Sequence, residues 1–230
     1  MAILTNSGRA AIAAAIKQRP LYLAWGSGQT WWDSVITSVR TFNASDVFTL
    51  PYGNIQSIAV QSLDQTVTYV LGADYTVDTI TGVVTREAEG TIPELEQVSV
   101  TFKPQHPAEP PDAEGLVTPF GFRKITEARF VRFDPNGTIV LVSGRYALSE
   151  EPTNELYIRT SYDYEDGVGS TVRELSIHMD AAPIEGAPIG QMYFEVAEIA
   201  DPGILLALQR VTPLERVAAT RQTFELVLVF

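Results

Sequence analysis

The chain has 230 residues, with 16 basic and 28 acidic side chains for a net charge of −12, two histidines and no cysteine. These numbers exclude a disulfide framework, a cysteine nucleophile, a thiolate zinc site and a three-histidine metal centre. The acidic balance argues against gripping nucleic-acid phosphates, because that affinity needs clustered Lys and Arg. The 45% apolar and 19% charged content is that of a globular chain with a real core. No apolar run reaches the ~20 residues of a membrane-spanning helix. The opening Met1–Arg9 lacks the basic start and apolar stretch of a secretory signal. The expectation is a chain that begins here, is made in a reducing, cytoplasm-like compartment, and has no membrane or nucleic-acid partner.

In chain order, Arg9–Arg19 reads as a short alanine-rich helix, capped by Asn6 or Ser7, with Ile12 and Ile16 on one face. Pro20 stops it. Leu21–Gly26 is a strand entering a turn. Trp25, Trp31 and Trp32 then fall within eight residues. They read either as a sugar- or partner-stacking platform or as an aromatic anchor or oligomer contact. From Val47 to Phe102 the text alternates in about six short strands (47–50, 56–60, 66–70, 75–77, 83–85 and 97–102) separated by Pro, Gly, Asn and Asp, which predicts a small β-sandwich or barrel. Pro104–Asp112 holds four prolines in nine residues, a stiff extended linker in which His106 is expected to be solvated.

After the linker, Lys124–Phe133 reads as one strand, and Asp134–Gly137 as a turn into Thr138–Val142. Leu156–Tyr162 is a strand with Tyr157, Arg159 and Ser161 on one face. Thr171–Met179 alternates, with a slip at Arg173–Glu174 that predicts a bulge. Asp201–Gly203 turns into Ile204–Val211, and Thr223–Phe230 is a strand expected to be paired inside a sheet. The predicted fold is mainly β. A β-sandwich-like main domain with a short N-terminal helix spans 1–42 and 113–230, and a small all-β domain, with its Pro-rich linker, is inserted at 43–112.

Chemistry is not advertised. No phosphate loop or Gly-x-Ser-x-Gly elbow is present. The acidic loop Asp163–Ser170 lacks the terminal glutamate of a twelve-residue calcium loop and reads as solvated. His178, on an alternating strand without a nucleophile motif, reads as structural. No catalytic, metal or cofactor residue is assigned, although paired carboxylates for glycan cleavage converge only in three dimensions.

Several segments together resemble a family of tailed-bacteriophage tail proteins. They are Leu4–Ala11 with Leu23–Gly26, Glu150–Arg159, Val172–Glu174, Pro188–Phe194, and Ala200–Gly203 with Arg221–Leu228, covering most of 1–42 and 116–230. Leu71–Thr85 is similar to a β motif of phage structural proteins. The resemblance implies a non-enzymatic virion part of a contractile tail, made in the host cytoplasm. It implies several copies around the tail tube near the baseplate, in a ripcord-like ring contacting tube, sheath and the baseplate wedge or hub. Trp25, Trp31, Trp32, Phe224 and Phe230 are the interface candidates, with plain core as the alternative for the two phenylalanines. Alternatives are a receptor- or carbohydrate-binding module and a glycan-degrading enzyme. The negative charge predicts docking through neutral aromatic patches or basic partner surfaces.

Overall fold

The computed structural model describes residues 2–230 and divides the chain into two compact units. One comprises the residues up to Gly28 together with Glu109–Phe230, the other Gln29–Ala108. The fold is mainly β, as expected, with one short helix at the N-terminal end. Helix α1 (Asn6–Lys17) and strand β1 (Leu21–Gly26) come first. The smaller unit then supplies β2 (Ile36–Thr41), β3 (Val47–Thr49), β4 (Ile55–Ser62), β5 (Tyr75–Asp78), β6 (Val83–Arg86) and β7 (Gln97–Pro104). The chain returns to the larger unit with β8 (Pro119–Lys124), β9 (Glu127–Phe133), β10 (Ile139–Leu141), β11 (Gly144–Leu148), β12 (Glu155–Tyr162) and β13 (Thr171–Met179). It ends with β14 (Ala182–Pro183), β15 (Tyr193–Glu195), β16 (Ile199–Asp201), β17 (Ile204–Glu215) and β18 (Gln222–Val229).

The larger unit is a sandwich of two five-stranded antiparallel sheets, ordered β15-β8-β1-β13-β17 and β10-β11-β9-β12-β18. Alternation along the strands builds its core. Leu21, Leu23 and Trp25 of β1 and Leu175 and Ile177 of β13 meet Phe130, Leu156, Ile158 and Tyr162 of the second sheet. Strand β1 is buried along its whole length because its other face is covered too: Tyr22 and Ala24 pack with Phe122, Ala181 and Phe194. Helix α1 lies against β12 through Ala13, which has no exposed surface, while Ile12 is 39% exposed. The contact centres on Ala13, with Ala14 and Ile16 of the expected isoleucine face packed beside it and Ile12 turned outward. The cap is Thr5, whose hydroxyl accepts from the Gly8 N–H at 3.1 Å, in place of Asn6 or Ser7.

Several expectations need correction. Lys124–Phe133 is two strands, not one: β8 belongs to the first sheet and β9 to the second, and the Ile125 N–H at the break donates to the Leu21 carbonyl. Strand β18 is paired in a sheet as expected, with β12 along its whole length, and it forms that sheet's edge. The bulge near Arg173 is present as a register shift between Val172 and Glu174, with a second shift at Ile177/His178.

The smaller unit has two three-stranded antiparallel sheets, β2-β7-β4 and β3-β6-β5, around its own core of Phe42, Val60, Tyr75, Val98, Val100 and Phe102. Strand β2 was not among the expected strands. Thr66–Val70 is not a regular strand; it folds back on β4 through an isolated bridge, Gln61 with Thr68. Asp64 turns the chain there by accepting from the Ser62 and Thr66 hydroxyls and the Thr66 N–H.

Candidate assembly surfaces

Strands β17 and β18 follow one another in sequence but do not pair. Each is the last strand of its sheet, so the sandwich is open along one side. An edge strand leaves a row of N–H and C=O groups unpaired and is a template for another chain unless it is blunted. Blunting is slight here: Pro213 interrupts β17, the Glu109 carboxylate accepts the Arg210 N–H at 2.7 Å, and neither strand carries a lysine. Between the edges lies a depression of about 350 Å³ floored by Leu175, Ile177, Leu226 and Leu228. It adjoins a broader groove of about 850 Å³ that runs past Gln209 to Val140 and Val142 at the tip of the β10–β11 hairpin. Val142 is fully exposed, and Val140, Phe133 and Val229 are each about 60% exposed.

The polar rim of this surface is fixed. Glu225 accepts from the Tyr157 hydroxyl at 2.8 Å and pairs with Arg159 at 3.2 Å. Burial, with that hydrogen bond behind it, pushes the Tyr157 phenol well above its ordinary range, so it stays a neutral donor. An apolar floor with a satisfied polar rim is the anatomy of a protein–protein contact surface.

The aromatic candidates are distributed differently from their sequence spacing. Trp25 is wholly inside, stacked on Tyr162 with 20° between the planes and covered by Arg216 at 5.2 Å. Phe224 meets Trp25 edge-on at 5.5 Å from the half-buried inner face of β18 and reaches the wall of the groove. Phe230 is also half-buried against the sandwich core, and its N–H donates to the Asn154 carbonyl. In the smaller unit Trp31 lies flat on Tyr52, centroids 4.4 Å apart, so one ring face is already taken. Trp32 is buried, edge-on to Trp31. The exposed valines of the hairpin carried no motif to single them out; the only sequence signal was the Ser143–Gly144 turn beside Val140–Val142.

The acidic loop is not solvated as expected. Asp166 pairs with Arg123, Asp163 with Arg123 and Arg221, and the buried Arg216 donates to the carbonyls of Asp163, Asp166 and Thr220. Arg221 first, then Arg123, hold the Asp163 carboxyl below its ordinary range. These carboxylates are consumed by arginines, and among the described residues no acidic or histidine cluster is arranged for a metal ion. His106 is also not simply solvated: it is half-buried, with Nε2 3.9 Å from the largely buried Asp33 carboxylate. His178 is structural. It is 2% exposed, Nδ1 donates to the Pro202 carbonyl at 2.9 Å, and Nε2 accepts from the Ser176 hydroxyl.

Residues 1–48 and 98–230 match the family described as baseplate wedge 3 tail fiber network component. No curated protein matches the chain. The match spans well over half of the sequence, and the chain belongs to this family of structural proteins of the bacteriophage tail baseplate.

Proposed function

We propose that this baseplate protein is a repeated building block, present in several copies around the tail tube, with the open side of its larger unit covered by neighbouring proteins. The observation that carries the reading is the open side of the sandwich, where the last strands of the two sheets flank an apolar groove next to an exposed valine tip. A chain with net charge −12 stays dispersed when free, and such an edge is safe only if assembly covers it. All residues of this surface lie within the family-matched segments, which favours a contact shared by the family. Tube, sheath and wedge or hub proteins are the candidate neighbours.

We further propose that the smaller unit is an insertion into the family body. Residues 49–97 lie outside the match, and the unit Gln29–Ala108 leaves and rejoins the larger unit at Gly28 and Glu109. No geometry favours the glycan-binding or glycan-cleaving readings over this one. The test is quantitative mass spectrometry of purified particles, with Val140→Asp/Val142→Asp as the perturbation. The expected result is a fixed multiple copy number in wild-type tails and depleted incorporation of the variant. A single copy per tail, or protein found free and never with particles, overturns the reading.

A further inference from the structure

We propose that a basic pocket on the larger unit receives the Glu94–Leu95–Glu96 loop of a second copy of this chain. The pocket, of about 290 Å³, lies where the end of α1 meets β1 and the end of β8, and is lined by Lys17, Arg19 and Lys124 around Leu21, Ile125 and Ala128. No carboxylate lines it. Arg19 is held by Asp180, its Nε donating at 2.9 Å. The two ammonium groups are instead set by aromatic faces, Lys17 over Phe130 at 4.5 Å and Lys124 over Phe194 at 5.4 Å. Ring faces position an ammonium without consuming its protons, so both remain donors for an incoming anion.

The occupant is argued from charge and shape. The smaller unit has three basic side chains, Arg40, Arg86 and Lys103, against nine acidic ones, a net charge of −6. Its loop before β7 places Leu95 at φ +57° with 60% of its surface exposed. A leucine in the left-handed region is uncommon, and this one shows its aliphatic side chain to solvent. Leu95 is flanked by Glu96 and by Glu94, which reaches Arg86 only at 3.8 Å with its side chain 85% exposed. Two carboxylates around one leucine match two ammoniums around an apolar floor. Because loop and pocket are different patches, the contact is head-to-tail, the kind that closes rings when the rotation allows. The inference rests on the reading that copies adjoin in the tail.

The absence of native cysteine permits a direct test. Leu95→Cys combined with Thr126→Cys, beside the pocket, is carried into particles and oxidised. The expected result is a ladder of cross-linked copies that neither single variant gives. Lys17→Glu/Lys124→Glu and Glu94→Lys/Glu96→Lys serve as a second measurement. Each should lower incorporation about tenfold or more, and their combination should restore most of it. A cross-link only within one chain, only to a different protein, or none, together with no rescue, overturns the proposal. If copy number in those particles is still multiple, the assembly reading stands while the loop–pocket contact falls; a single copy per tail sinks the reading itself.

Discussion

Arg216 ties the acidic loop to the core. It is 2% exposed, caps three carbonyls of the 163–166 and 220 turns, and lies over Trp25. Truncation would leave the Asp166 carbonyl without its buried donor and open a void beside Trp25, a cost of about 3 kcal/mol. Arg221 makes its ion pair with Asp163 from the surface, with 61% of the side chain exposed, where a pair contributes less than about 1 kcal/mol. Urea unfolding of Arg216→Ala and Arg221→Ala should show that difference; equal losses would contradict the assignment. His178 gives a second expectation. Burial lowers its folded pKa, and the hydrogen bond to Pro202 only partly opposes this. The unfolded chain therefore binds a proton that the folded chain refuses. The stability from neutral His178 is present above the ordinary histidine value of about 6.5 and is lost as pH falls below it. The denaturation midpoint should drop between about pH 7 and 5, and His178→Asn should flatten that slope. An unchanged slope in the variant would place the proton uptake elsewhere. Little of this was legible beforehand. The acidic loop read as solvated because its partners, Arg123, Arg216 and Arg221, lie 40 to 58 residues away in sequence.

At the scale of elements, alternation was a good guide wherever one face is buried and the other is not. Strands β5, β6, β7, β12 and β18 follow it, whereas β1 and the middle of β13 are buried on both faces. The misses have physical causes. Strand β2, Ile-Thr-Ser-Val-Arg-Thr, is nowhere fully buried and carries no apolar run. The break between β8 and β9 falls at Ile125–Thr126, two β-branched residues that read as strand interior while the chain crosses from one sheet to the other. The turn before β17 was legible and is stringent. Gly203 has φ +71°, and a Cβ there would lie 2.2 Å from the Met179 carbonyl oxygen. Gly203→Ala should cost about 2 kcal/mol or more by urea unfolding, because neither the backbone angle nor the carbonyl can yield cheaply. A loss under about 0.5 kcal/mol would show that the β13–β17 connection relaxes. The aromatic candidates were only partly legible as surface, since spacing cannot tell Trp25, stacked inside, from the exposed Val142.

At the scale of the molecule, each unit has its own core, the smaller around Phe102 and Val100, the larger around Trp25 and Ile158. Two cores predict two unfolding transitions. Phe102→Ala should lower one by about 3–5 kcal/mol and Ile158→Ala the other by about 2–5 kcal/mol. A single transition shifted alike by both would contradict independent units. The net charge of −12 is unevenly spread, and the pocket lined by Lys17, Arg19 and Lys124 is a basic patch on an acidic chain. If neighbours cover the open β17/β18 side of this baseplate protein, a cryo-EM reconstruction of the intact tail will show it. The expected map has several symmetry-related copies at the baseplate, each with the groove beside Leu226 and the Val142 tip buried against another protein. Copies whose open sandwich side faces solvent would contradict it.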